Sequence, residues 1–219
     1  MAARPKHAEP RPAPRLYLIT PPVAEAGSFS ATLAAALASG DVAAVLLRLA
    51  AGDERSLINR AKSLVPVAQQ QGAALLLDGH ADLAARAGCD GAHLTGIAAF
   101  SEAVAQLKPE RIAGCGGLLS RHDAMLAAEK SADYVMFGEP DAAGSRPSFA
   151  AVEERVAWWA EVFETPCVGY AGSEDEVEPL VKAGADFVAA GEWLWQRPQD
   201  VQATVAALMP LLRLPETAA

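Results

Sequence analysis

The chain has 219 residues, 52% of them hydrophobic but only 6% aromatic, and a formal net charge of −9. That length suits one domain with one aliphatic core and Ala-rich helices, and it excludes extensive disorder. The acidity, with no Lys/Arg run beyond the first fifteen residues, excludes a nucleic-acid or anionic-membrane surface, so any phosphate must be held locally.

Met1–Pro14 carries Pro5, Pro10, Pro12 and Pro14 among basic and small residues and is expected to be a flexible tail, because proline neither continues a helix nor donates to a sheet. From residue 15 to 214 short aliphatic runs alternate with longer Ala-rich stretches, the pattern of βα units around a parallel sheet. Eight strands are expected: Leu16–Thr20, Val42–Leu47, Ala73–Leu77, Gly91–Leu94, Arg111–Cys115, Tyr134–Phe137, Cys167–Gly169 and Phe187–Ala189. Helical spacing lies between them, over Ser30–Ser39, Glu54–Gln70, Ala81–Ala87, Arg121–Lys130, Phe149–Phe163 and Glu174–Lys182. Ser28, Asp53, Ser120, Ser148 and Ser173 stand near helix starts, where a short side-chain oxygen can accept an orphan N–H. Residues 215–219 are expected to form a short C-terminal tail.

A faint repeat runs through residues 87–94, 130–137 and 183–190, each a helix end, a turn carrying Asp (Asp90, Asp133, Asp186) and a buried strand. Recurrence at alternate strands predicts a single (β/α)8 TIM barrel, whereas a doubly wound sheet would carry a Gly-rich loop after its first strand, and Thr20-Pro21-Pro22 is no such loop. Cys89, Cys115 and Cys167 lack CxxC spacing and read as small buried thiols in a reducing, cytoplasmic setting, with no metal cluster and no disulfide framework. No apolar run reaches the roughly 18 residues of a membrane span, and the N-terminus has no apolar signal core.

Chemistry in such barrels sits at the C-terminal ends of the strands. There the sequence places Arg48 after the second strand, Asp78 and His80 after the third, His93 within the fourth and Glu139 after the sixth, with Arg146 further along that loop. Arg48 and Arg146 could clamp an anion, His80 could serve as a proton donor, and Asp78 is a further catalytic candidate. Ala171, Gly172 and Ser173 after the seventh strand, with Gly191 and Glu192 after the eighth, could offer backbone N–H groups to a phosphate, although Glu192 would repel one if it pointed inward. His93, Arg121, His122 and Glu139 form a further candidate pocket; a barrel-layer role for His93 and a solvent-facing first helical turn for Arg121 and His122 are the plainer readings. Trp158 and Trp159 suit helix packing or a contact between copies, which leaves room for a homodimer.

Leu16–Thr20 (LYLIT), Leu75–Leu94 (LLLDGHADLAARAGCDGAHL), Ala132–Gly138 (ADYVMFG) and Ala183–Ala189 (AGADFVA) resemble, in order and spacing, blocks of the thiamine-phosphate synthase and thiazole tautomerase superfamily. The resemblance runs from Arg15 to about Leu194 and implies a barrel that joins hydroxymethylpyrimidine diphosphate to a thiazole phosphate, releasing pyrophosphate with help from Mg2+. Several functional positions depart from the family pattern. Asp78-Gly79-His80 stands for Asn-Asp-Arg, so Gly79 replaces a metal-binding Asp, and Thr95-Gly96-Ile97-Ala98 has no second acidic ligand. Of the pattern Gln-x-Arg-x-Lys only Arg48 persists, between Leu46 and Ala50, and Arg146 is the one cation in a loop where the family has Thr-Pro-Thr-Lys. The Mg2+ that the resemblance implies therefore lacks its expected side-chain ligands. The tautomerase branch carries a His after the sixth strand, which this chain lacks. Three readings follow: a thiamine-phosphate synthase with a rearranged site, a metal-independent enzyme on another phosphorylated metabolite, and a non-catalytic ligand-binding or interaction protein.

Overall fold

The computed structural model describes residues 12–213, so most of the expected N-terminal tail, and the C-terminal tail, lie outside the described residues. Eight parallel strands close into a barrel in chain order: β1 (Arg15–Ile19), β2 (Val42–Leu47), β3 (Ala74–Asp78), β4 (Gly91–Thr95), β5 (Ile112–Gly116), β6 (Tyr134–Phe137), β7 (Cys167–Ala171) and β8 (Phe187–Ala190). The helices between and after them are α1 (Ala26–Leu37), α2 (Glu54–Gln69), α3 (Ala81–Ala87), α4 (Ile97–Leu107), α5 (Arg121–Glu129), α6 (Phe149–Val162), α7 (Val177–Lys182) and α8 (Val201–Leu208). This is the (β/α)8 barrel that the alternating pattern predicts. No helix among the described residues is long and apolar enough to cross a membrane.

Two apolar layers follow from the period-2 alternation of side chains along each strand. Leu16, Leu18, Val45, Leu47, Leu75 and Leu77 face the helices, while Tyr17, Ile19, Leu46, Leu76, Tyr134, Met136, Val168 and Tyr170 fill the barrel interior. Outside the sheet, Trp159 is fully buried, stacks on Phe163 with ring centroids 4.1 Å apart and donates its indole N–H to Thr165 O at 2.7 Å. Trp158 packs edge-on against both rings and lies under the Arg121 guanidinium, 4.6 Å from its centroid.

The Asp repeat has a structural explanation. Asp90, Asp133 and Asp186 each turn a carboxylate back to accept the N–H near the start of the preceding strand, from Leu75, Ala113 and Cys167, at 2.8, 2.7 and 2.8 Å. These ties lie at the bottom of the barrel, opposite the strand ends that carry chemistry, and supply partners for N–H donors within the first two residues of each strand.

The caps divide. Asp53 accepts from Ser56 N–H, and Ser120 forms a reciprocal capping box with Asp123. Ser148 and Ser173 occupy cap positions without a side-chain bond. Ser28 lies inside α1, which begins four residues earlier than the spacing predicts, and donates back to Glu25 O at 3.0 Å. The helix expected over Glu174–Lys182 divides into a 3-10 turn, Glu174–Glu176, and α7. Starting the α-helix at Val177 puts Pro179 in its first turn, where a missing N–H costs no intrahelical bond.

Candidate functional site

At the C-terminal end of the barrel the strand ends surround a cavity of about 690 Å3, and a side lobe of about 360 Å3 opens beneath the loop after β6. Of the residues the sequence singles out, the cavity gathers Arg48, Asp78, His93, Glu139, Gly172 and Glu192, and the lobe adds Arg146. His80 sits at the start of α3 with no side-chain cap bond and does not line either space. Arg121 and His122 are exposed in the first turn of α5, where Arg121 pairs with Glu154 at 2.8 Å. Ser173 is exposed, Ala171 is buried with its carbonyl accepting from the Trp193 indole at 2.8 Å, and Gly191 packs against the Tyr170 ring, whose oxygen a Cβ there would approach to 2.2 Å.

Arg48 and Arg146 have carboxylate partners. Arg48 Nη1 donates to Glu192 Oε1 at 2.7 Å and its Nε lies 3.4 Å from Asp78 Oδ2. Glu192 is drawn to Arg48 rather than left to repel a ligand alone. Arg146 donates to both oxygens of Glu176, at 3.2 and 2.9 Å, and lies over the Tyr170 ring at 5.3 Å. Glu176 Oε2 also accepts the Gly172 N–H at 2.6 Å. Arg146 and Gly172 thus converge on one anionic group, and the absence of a side chain at Gly172 admits the guanidinium, since a Cβ would stand 1.7 Å from Arg146 Nη1.

A second polar group descends into the barrel. Tyr17 and Tyr134 hydroxyls meet at 2.8 Å, the Tyr134 hydroxyl contacts His93 Nδ1 at 3.0 Å, and His93 Nε2 lies 3.9 Å from Glu139 Oε1. Glu139 Oε1 accepts the Gly117 N–H. Burial holds His93 down at about 4, so the ring is neutral, and pushes the Glu139 carboxyl up to about 7; both tyrosines are raised by burial. The glycines of β5 make the room: a Cβ at Gly114 would strike the Tyr134 ring at 2.1 Å, and one at Gly116 would lie 1.9 Å from Glu139 Oε1 and 2.6 Å from His93 Nε2.

The sequence reading missed Tyr17, Tyr134, Tyr170 and Glu176. Glu176 stands in the acidic run Glu174-Asp175-Glu176, Tyr17 and Tyr134 read only as apolar strand residues, and Tyr170 falls in the loop expected after the seventh strand. An inward position in a strand, occupied by a residue with a polar tip, is the signal that could have found them.

Fold and mouth together define a (β/α)8 barrel with a polar, ligand-sized opening at the strand ends. The family model for thiamine monophosphate synthase matches residues 16–193, and the chain belongs to that family. The thiamine-phosphate synthase of Rhodospirillum centenum is 41% identical over 202 residues, covering 91% of this chain and 98% of that protein. The thiamine-phosphate synthase of Hyphomonas neptunium is 35% identical over 212 residues, covering 93% and 96%. Among solved structures, thiamine phosphate pyrophosphorylase from Pyrococcus furiosus superposes with a TM-score of 0.74 over 92% of this chain and 96% of that one, at 21% identity, a likeness of fold.

Proposed function

We propose that the mouth binds a small phosphorylated thiamine precursor, held by guanidinium and backbone N–H groups, and that the carboxylates which hold Mg2+ in the family pattern are lost. The observation that carries this reading is the convergence of Arg146 and Gly172 N–H on the Glu176 carboxylate. A carboxylate there is a stand-in for the oxygens of a phosphate, which brings more charge and a third acceptor to the same donors. Arg48 offers a second cation across the cavity.

The carboxylates of the mouth do not fit a divalent ion held by protein side chains. No group of three or more His, Cys, Asp or Glu among the described residues is placed to hold one. Asp78 and Glu192 face Arg48, Glu176 faces Arg146, and Glu139 is bound to Gly117 N–H. Gly79, at φ +74°, offers no side chain at all. A hard cation with six oxygen ligands needs more than this.

A second reading is the family's joining reaction itself, favoured by 41% identity with a thiamine-phosphate synthase along nearly the whole chain. Isothermal titration with hydroxymethylpyrimidine diphosphate and with thiazole phosphate, each with and without Mg2+, followed by an assay for thiamine phosphate, tests both. Binding that does not depend on Mg2+ supports the first reading. Mg2+-dependent diphosphate binding with product formation overturns the loss of the metal site and establishes the second. Binding of neither compound refutes both and points to an interaction role.

A further inference from the structure

Glu139 has a setting that anion binding does not require. Its side chain is 13% exposed, it lines both the mouth cavity and the side lobe, and its Oε1 is fixed by the Gly117 N–H beside the neutral ring of His93. Among the described residues no Lys or Arg pairs with it. Arg146 is engaged by Glu176, and Arg155, the other guanidinium of the lobe, donates to Leu118 O and Leu119 O at 2.8 and 2.9 Å. The titratable groups facing it are Tyr17 from β1, Asp78 from β3, His93 from β4, Cys115 from β5 and Tyr134 from β6, with Asp141 in its own loop. None supplies positive charge at neutral pH. A buried carboxyl without a cation favours its protonated form, and such a group at a ligand cavity is placed to give up a proton.

We propose that Glu139 is the general acid of this site, donating its proton to the leaving oxygen of a phosphorylated ligand bound in the mouth. The inference rests on the reading of the mouth given above and on the joining reaction given there as the second reading. In the step, the C–O bond to the leaving phosphate oxygen breaks and its electron pair stays on that oxygen, which takes the Glu139 proton. The carbon accepts the electron pair of the thiazole nitrogen of the second precursor. The Glu139 carboxylate left behind is stabilised by the Gly117 N–H and regains a proton from water as products leave. His93 acts as a positioning residue: held through Nδ1 by Tyr134, it keeps a neutral ring beside the carboxyl rather than a competing cation.

The test uses the full chain with hydroxymethylpyrimidine diphosphate and thiazole phosphate as probes, with and without Mg2+. Product formation is followed from about pH 5 to 9, and precursor affinities are taken from calorimetry. The wild-type rate is expected to fall about tenfold per pH unit above neutrality, where the acid is ionised. Glu139→Gln keeps an oxygen for the Gly117 N–H; it is expected to be slower by about 100-fold or more, to lack the alkaline limb and to bind each precursor within about threefold of wild type. Glu139→Asp, which keeps the acid at a shorter reach, is expected to restore the limb at a reduced rate. A Glu139→Gln enzyme with the wild-type rate or limb overturns the proposal, as does a wild-type chain that binds both precursors and makes no product. A wild-type chain that binds neither refutes the reading of the mouth, and this inference with it.

Discussion

Replacing Glu139 by Gln changes how stability depends on pH, in a way that follows from two buried neighbours. Burial raises the Glu139 carboxyl from 4.5 to about 7 and lowers the His93 imidazole from 6.5 to about 4. At 1.36 kcal/mol per pH unit each shift amounts to about 3 kcal/mol. For Glu139, raised in the folded state, the stability present below pH 4.5 is lost as pH climbs through about 7. For His93, depressed in the folded state, the stability present above pH 6.5 is lost as pH falls through about 4. The two slopes run in opposite directions over nearly the same window and cancel, so this pair leaves the wild type almost flat. Removing the acid leaves the His93 slope unopposed. Relative to wild type, Glu139→Gln is expected to gain about 3 kcal/mol at pH 8 and about 1 kcal/mol at pH 5. Urea unfolding at the two pH values reads the difference as a change in midpoint at constant slope. An equal gain at both, or a larger one at pH 5, would refute the assignment of Glu139 as the buried acid.

Arg48→Met is expected to cost less than about 1 kcal/mol in stability, because its ion pairs are partly exposed. It should also weaken thiazole phosphate binding by about tenfold or more in calorimetry, through loss of a charged donor. Glu176→Ala removes the internal anion from Arg146 and Gly172 and is expected to tighten inorganic phosphate about tenfold, provided Arg146 keeps its place over Tyr170. Gly116→Ala sets a methyl where Glu139 Oε1 and His93 Nε2 meet, so a loss of about 1–3 kcal/mol on urea unfolding is expected from overpacking. Trp159→Ala removes a fully buried indole and its bond to Thr165 O, with an expected loss of about 3–5 kcal/mol in the same assay.

The barrel was legible because it is built from local signals. Runs such as Val42–Leu47 and Tyr134–Phe137 are aliphatic or aromatic and short, and the strands found there have those same limits. The strand ends shifted by one or two residues where pairing, which a single segment does not encode, carries the ladder on; β7 extends to Ala171 because Tyr170 and Ala171 pair with Ala189 and Ala190. The Asp repeat was visible as a pattern, but its purpose depends on the preceding strand lying alongside. The mouth was half legible. Arg48, Asp78, Glu139 and Glu192 announce themselves as charges closing apolar strands, whereas the Tyr17–Tyr134 contact joins residues 117 apart and exists only once β1 and β6 share an interior. Likewise, which acid answers which arginine is fixed by loop geometry: Glu192 reaches Arg48 across 144 positions.

That pairing sets the order in which a ligand can take hold. Arg48 and Arg146 are each answered by an acid of the chain, so on the proposed reading an incoming phosphate displaces a carboxylate rather than meeting a bare cation. The cost of displacement is the cost of returning that acid to water and losing its other bonds. Glu192 is 60% exposed and, among the described residues, is held by Arg48 alone, so it leaves cheaply. Glu176 is 18% exposed and also holds the Gly172 N–H, so its release leaves a donor to be satisfied. A monoanionic group therefore engages Arg48 first, and only a ligand with enough acceptors to serve Gly172 and Arg146 together replaces Glu176. On the proposed reading the mouth is expected to favour phosphate over carboxylate at the seventh loop, since a simple carboxylate would offer Arg146 no more than Glu176 already does.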